Sequence, residues 1–560
     1  MRLQTSRLLC WVQSAGIGLL VSGLGTLGMT QELNPQRVGV GKTQKKLSLE
    51  EALELALANN LEVQIQKSES QIVRQGVQAA KGAFDPTFRW QPLIESRNLP
   101  TGSSLLGQEG KSTDHIFTQN FYFQQKLPWA GSSFRIDFEN FRQSTNNPFA
   151  GLNPYFNSRL FFNFAQPLWR NRDLDRPRAE LRIRRKESEI ADTDFELKVI
   201  NIVTQVALSY WNLAEARWDV QVNSENVKLA RELLAQNQRM VEAGMLPPLE
   251  ISGSKAELER RLDNLYYSIG VVTAAENVLK SLLAPNREVQ FWEEEIITED
   301  TLLQLPAETP ELSQAVAKAL SLRPELVQDR LRKETNAIQK QFNSSQTKPQ
   351  VDLLASYGNS GLAGKLSTAQ NPFAASNDIL YGRVNELSDL AGLPPLQPPT
   401  FAPLPDFLLG NYWTALSNVF SGRFQTLAGG FSIDLNLRNR TAQANLAQSM
   451  IAERQLNLES TRLEQVIEVQ VRNALQGLQT SRQRIVAADA SAEAARQKLD
   501  SENRLFQSGE STNFLVLTRQ NELTDSRRRQ VAARADFNRS VARYEQALGV
   551  TLGSHNITLK

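Results

Sequence analysis

The chain of 560 residues holds two imidazoles, His115 and His555, and one thiol, Cys10. The histidines lie far apart, one between strand-like runs and one in the C-terminal tail, and the thiol falls in an N-terminal segment expected to be removed. Templates for a nucleophile and base, or for a zinc site, therefore have little to work with. No phosphate-binding GxxxxGK[ST] sequence is present. Asp and Glu are abundant, but on amphipathic helices, where solvation accounts for them. These residues argue for no catalytic, metal or cofactor site. What the polar side chains can do instead is line water. Arg89, Gln124, Asp137, Asn163, Asp434 and Asn436 alternate with aromatic and aliphatic neighbours, as in a wall with one wet face and one apolar face.

The elements that would carry such a wall are strands with a period of two. Phe84, Pro86, Phe88, Trp90, Pro92 and Ile94 alternate with Asp85, Thr87, Arg89 and Gln91. Further runs contain Phe117, Phe121, Phe123 and Leu127, then Phe134, Ile136 and Phe138 after a turn at Trp129-Ala130-Gly131, then Leu160, Phe162 and Phe164. Two more lie at Val351 to Tyr357 and Leu427 to Leu437. Between them, Leu99 to Thr113, Phe141 to Asn157 and the long segment Gly358 to Gly422, with Pro394-Pro395 and Pro398-Pro399, read as loops.

Helices precede and follow these strands. A stretch from Asp173 to Ala243, ending at Gly244-Met245-Leu246-Pro247-Pro248, would reach about 105 Å as a helix. With Leu197 as heptad position a, positions a and d hold Leu197, Ile200, Thr204, Ala207, Trp211, Ala214 and Trp218. Positions c and g hold Val199, Val203, Val206, Tyr210, Leu213, Arg217 and Val220, and the opposite position b holds Lys198, Gln205, Asn212 and Asp219. The apolar arc is about twice the width of a two-stranded coiled-coil seam. It suits a helix with a neighbour on each side, in a bundle or in a closed wall of helices.

The order helix, strands, long helix, shorter helix is written twice. Pro349 lies 263 after Pro86, and Gly509 lies 265 after Gly244. The expected organisation is an export signal over 1–30, with Arg2 and Arg7 before an apolar run, or a membrane anchor in its place. A linker over 31–47, a first repeat over 48–284, a linker over 285–310, a second repeat over 311–548 and a tail over 549–560 follow. Each repeat should open with one helix, 48–83 or 311–346, and close with one of similar length, so that the two stacked end to end match a long helix. Lys+Arg number 62 and Asp+Glu 60, which makes no case for nucleic acid.

Each repeat leaves and returns through its strands, four in the first and two in the second. Six strands cannot close a roomy barrel, and their apolar faces would be left to water unless several copies shared one barrel or a soluble β-sandwich folded them inward. The pieces "LSLEEALELALANN", "AAKGAFDPTF", "QPLWRNR", "FSIDLNLRNRTAQANLA", "VEAGMLPPLEI" and "FQSGESTNFLV", in this duplicated order, resemble the TolC-like outer-membrane efflux proteins. The resemblance implies a mainly α fold with transmembrane β: long antiparallel helices forming an α-barrel tunnel in the periplasm, and strands given to a β-barrel shared by a homotrimer in outer-membrane lipid. It implies a passive duct for efflux or type I secretion, working with a periplasmic adaptor and an inner-membrane transporter. Family halves of two strands would make twelve per trimer; the extra hairpin at 115–143 either enlarges the barrel or lies outside it. By the same resemblance, Gly244 and Gly509 mark the periplasmic tips where adaptors dock. Glu250 matches an acidic position near the entrance, while Leu515 and Thr518 stand where a second set of acids is expected. A coiled-coil adaptor or scaffold without a pore is the rival reading; it needs no aromatic-faced strands.

Overall fold

The computed structural model describes residues 37–41, 43–102, 110–300, 311–368, 372–397 and 403–559. The expected leader over 1–30 with Cys10, residues 31–36 and 301–310 of the two linkers, Pro398-Pro399 and Lys560 lie outside them.

A short strand, β1 (Gln44–Leu47), leads into α1 (Leu49–Asn59) and α2 (Leu61–Lys81). The single opening helix expected over 48–83 is thus two. Ser48 and Glu51 form a capping box on α1. Asn60 then leaves the helical region at ψ 122° and caps α2 by accepting from the backbone N–H of Glu62 and Val63. Its amide also donates to the Leu282 carbonyl at 3.0 Å, fixing the break in the core. Four strands follow, β2 (Thr87–Pro100), β3 (Lys111–Lys126), β4 (Ser133–Thr145) and β5 (Leu152–Pro167). Then come α3 (Arg176–Glu242), α4 (Leu249–Leu283), α5 (Val289–Glu293) and β6 (Glu295–Thr298).

The second half opens with α6 (Leu312–Leu322) and α7 (Pro324–Gln346), divided where Pro324 excludes the helical conformation from Arg323. Next are β7 (Gln350–Leu366), α8 (Pro372–Leu390), α9 (Tyr412–Phe420) and β8 (Gln425–Asp434). The chain ends with α10 (Arg440–Gln507), α11 (Asn513–Leu548) and α12 (Thr551–Ser554). The strands are longer than the apolar alternation suggests, so that 99–100, 111–113, 141–145, 152–157 and 358–366 are sheet. Toward the loop end both faces become polar, and periodicity loses its contrast. In the opposite sense, β8 stops at Asp434 because its partner β7 begins at the facing residue, Gln350. Asn436 therefore lies in the connection to α10, and not on a strand.

The long helix α3 is covered on both sides. Along one side run α1 and α2 followed by α4; along the other run α7 followed by α11, with α10 beyond them. Helices of 11, 21 and 35 residues together equal the 67 of α3, so the flanking column matches its full height, about 100 Å. The wide arc of α3 fills this space: Val199, Val203, Val206, Tyr210, Leu213 and Trp211 are buried against Leu53, Leu279, Leu283 and Ile296. Gln205 and Asn212, at position b, face water. A second core joins α6, α10 and α11 through Ile467, Val471, Phe537 and Tyr544. Polar ties complete the wall, among them Lys186–Glu334 at 2.9 Å and Arg528–Asp219 at 2.9 Å.

Both segments expected as linkers contribute to structure, since β1 and β6 pair in parallel. Beneath that pair, Lys280 and Glu276 are 0% and 1% exposed and 2.8 Å apart. Glu276 also meets Arg37 at 2.6 Å, and accepts from the Ile296 N–H at 3.1 Å. Lys280 donates to the Trp292 carbonyl at 2.7 Å. Arg37 and Arg217 both reach Glu295, at 2.8 and 2.9 Å. Burial pushes the Glu295 carboxyl up, but hydrogen bonds from Arg217 and Gln44 and the charges of Arg217 and Arg37 outweigh it, holding the group below its usual 4.5.

Without Lys280, Glu276 would keep Arg37, whereas Lys280 has no second carboxylate among the described residues; Glu276→Ala therefore leaves a buried unpaired charge and should cost about 3–5 kcal/mol, read as a lowered midpoint of thermal unfolding. Because Glu295 is depressed in the folded state, its contribution is present above pH 4.5 and lost as pH falls through the folded value. Acidification below 4.5 should lower the midpoint, and Glu295→Gln should flatten that dependence.

Candidate functional site: the two-faced sheet and the helical tips

The six strands form one sheet in the order β2-β3-β4-β5-β7-β8, with β2 and β8 at its edges. The hairpin β3–β4 lies inside it, paired to β2 on one side and to β5 on the other. One face is aromatic. Phe88 and Trp90 stack on Phe121 at 6.1 and 6.3 Å, Phe121 on Phe138 at 6.1 Å, and Phe134 on Phe162 at 6.0 Å. Register carries the same face on to Tyr357 and Leu427. Most of these side chains have no cover of their own, and Phe88, Trp90, Phe162, Tyr357, Leu427, Phe431 and Ile433 are exposed.

The other face is polar. Gln124 and Asn163 occupy one row with Arg135 and Ser356, and Arg89 and Asp137 share the next. Asp434 has the same parity at the helix end. Asp137 is buried among its neighbours: Arg135 donates to it at 2.9 Å and Asn163 at 2.8 Å, while Ser356 donates to Asn163 at 2.8 Å. Arg135 and Ser356 were not among the residues singled out from sequence, although their parity marks them. Residues next to each other in such a ladder hold one another's orientation, so the face presents a fixed polar surface.

At the loop end α9 lies on the aromatic face. Tyr412 packs edge-on against Phe156 and donates to Asn140 at 3.3 Å, and Asn418 donates to the Leu362 carbonyl at 3.0 Å. The approach is so close that a Cβ on Gly361 would meet the Ala415 carbonyl oxygen at 2.0 Å. Trp413 and Phe420 point away from the sheet and are exposed. Because Gly361 falls in the segment read from sequence as a loop, this packing had no signal in the periodicity.

At the far end each long helix closes with a glycine at positive φ, 72° at Gly244 and 80° at Gly509. The N–H of Met245 bonds to the Met240 carbonyl and that of Glu510 to Leu505, the six-to-one bond of a Schellman motif, at 2.8 and 2.9 Å. The two tips touch. Glu250 accepts from the Asn513 amide at 3.2 Å, and Arg261 donates to Asn521 at 3.0 Å. Asn513, not visible as a partner in the sequence, thus ties Glu250 to the second repeat. Leu515 is exposed, and the Thr518 hydroxyl donates to the Phe514 carbonyl at 2.8 Å. Met245 and Phe514 are 72% and 74% exposed, so the tips end in apolar side chains.

Among the described residues no cluster of His, Cys, Asp or Glu could hold a metal, and no helix is long and apolar enough to cross a membrane. His115 lies beside Ser96 at 3.1 Å and His555 beside Glu545 at 3.5 Å.

The family model described as outer membrane efflux protein matches residues 162–284. Among solved structures, CmeC of Campylobacter jejuni, an outer membrane channel, is similar over 90% of this chain and 85% of its own, at 12% identity and a TM-score of 0.60. The outer membrane protein VceC of Vibrio cholerae is similar over 90% and 96%, at 14% identity and 0.59. The outer-membrane channel OprN is similar over 90% and 89%, at 13% identity and 0.58. At these identities the likeness is one of fold. No curated protein matches the chain in sequence.

Gly361→Val should force α9 off the sheet. Limited proteolysis should then cut between residues 366 and 425 several times faster than in the parent protein, with the helical region still resistant.

Proposed function

We propose that this chain is a TolC-like outer membrane efflux protein, three copies of which share one β-barrel in outer-membrane lipid and continue it as a helical tunnel through the periplasm, a reading supported by the family model over residues 162–284 and by the fold shared with outer membrane channels. The observation that carries the reading is the unfinished state of the single chain. It exposes 36068 Å², where a globular protein of its mass would expose roughly 20,000 Å². The sheet ends in two unpaired strands, and the helical wall ends in two open sides. On one side α2 and α4 expose Ile65, Ile72, Tyr267 and Val278, and on the other α10 exposes Ile451, Leu458, Val469 and Val486. Three copies in a ring place each open side against its complement.

In this arrangement the aromatic face meets lipid, and the polar face with Arg89, Gln124, Asp137, Asn163 and Asp434 lines water. Trp413 and Phe420 on α9 fall beyond the aromatic band, where aromatic side chains favour the membrane interface. The chain is an exit duct without an energy source of its own, so an inner-membrane transporter supplies the drive and a periplasmic adaptor joins the two. The exposed Met245, Leu249 and Phe514 at the tips are the apolar contact such an adaptor would cover. Gly244, Glu250, Gly509, Leu515 and Thr518 then surround the periplasmic entrance. The system served is tripartite efflux or type I secretion. Nucleic acid has no part, given the balanced charge. The adaptor or scaffold alternative leaves the aromatic face without a solvent that suits it.

Purified protein should be a trimer that needs detergent, and should conduct ions in planar bilayers; correct trimers that stay silent would refute the duct. Three Glu250 carboxylates near a narrow axis would attract cations. Glu250→Gln should therefore weaken block by divalent cations, and unchanged block would assign Glu250 only to its bond with Asn513.

A further inference from the structure

The sheet is sheared along its width. From Thr87 the register runs through Gln124, Arg135, Asn163 and Ser356 to Ala428. At the helix end β2 begins at Thr87, whereas β8 continues to Asp434, six residues further (434 less 428). The strands between step down in order. Lys126 lies two residues past Gln124, Pro167 four past Asn163, and Gln350 six before Ser356. Repeated around a ring with the strand ends level, six residues over six steps, five within the sheet and one to the next copy, is a stagger of one per strand. With about 3.3 Å along a strand and about 4.8 Å between strands, that is a tilt of about 35°, as closed barrels require.

Resting on the trimeric reading above, we infer that β3 and β4 are wall strands, and that three copies close a barrel of eighteen strands through a seam pairing β8 of one copy with β2 of the next. The two edges run in opposite directions, so the seam is antiparallel. With strand ends level around the ring, Thr87 falls beside Asp434 of the neighbouring copy. Phe88 then faces Ile433, Trp90 faces Phe431 and Ile94 faces Leu427, all on the lipid side. Arg89 faces Ser432 on the water side. Pro92, which cannot donate to a ladder, falls opposite Gly429, and all ten residues of β8 find partners between Thr87 and Ser96. A slip of one residue would put aromatic side chains in the lumen. At this tilt eighteen strands enclose a backbone diameter of about 34 Å, against about 23 Å for twelve.

The test uses the full chain with Cys10→Ala. In the first arm, Trp90→Cys with Phe431→Cys should give disulfide-linked dimers and trimers under mild oxidation, because directly opposed residues come within disulfide reach. Trp90→Cys with Leu427→Cys, four residues out of register, should stay monomeric on a denaturing gel. In the second arm, labels at Phe121→Cys and Phe138→Cys should be quenched by a lipid-phase quencher, and labels at Tyr122→Cys and Asp137→Cys only by an aqueous one. Trimers of normal size whose first pair does not cross-link, or whose hairpin labels meet water on both faces, overturn the inference and leave the trimeric reading standing. Absence of trimers, measured separately by mass in detergent, overturns both.

Discussion

A helix of this length with an apolar arc too wide for one partner must be covered on two sides along its whole height, and that requirement organises the molecule. α3 cannot lie in lipid, because its first turns carry Arg182, Arg184 and Arg185, and it cannot stand alone in water. The chain meets the requirement by duplication. Each repeat supplies one long helix and three shorter ones, and the shorter ones stack into columns that match the long helices. The strands follow from the same geometry, since both long helices begin where the chain comes back from the sheet.

The two repeats are not used alike. In the first, the column beside α3 is interrupted at mid-height by α5 and the β1–β6 pair, and the buried Lys280–Glu276 pair with Arg37 sits there. A charge cluster so deeply buried contributes little net stability over an apolar packing of the same volume, but it accepts only one arrangement of its partners. It joins the N-terminal strand, α4 and the segment between repeats, which are distant in sequence, and so holds the level at which the helices are stacked. The second repeat has Phe537 and Tyr544 in an apolar core at the corresponding place.

The sheet obeys a different constraint. Every backbone group in a wall facing hydrocarbon must be paired, so an open edge is tolerable only where another strand will meet it. In the proposed trimer, neighbouring copies meet the unpaired β2 and β8, and lipid covers the exposed aromatic band. The tips show the opposite economy of contact: Glu250, Asn513, Arg261 and Asn521 link the two helical hairpins through a few hydrogen bonds, with the apolar Met245 and Phe514 left outside.

Much of this was legible in the chain itself. Period-two alternation located all six long strands and their apolar face, the heptad arc located the buried side of α3, and the glycines at 244 and 509 located the tips, because each depends on neighbours within a few residues. Tertiary structure decided the rest. The break at Asn60 falls inside a helical pattern and is held by the Leu282 carbonyl from another helix, whereas the break at Arg323 has a local cause in Pro324. Asn436 continued an alternation whose partner strand had already ended. The place of the hairpin β3–β4 inside the sheet, the pairing of β1 with β6, the seat of α9 on Gly361 and the bond from Asn513 to Glu250 all join residues far apart in the chain. Periodicity records which way a side chain points from its own backbone; which other segment it meets there is set by packing alone.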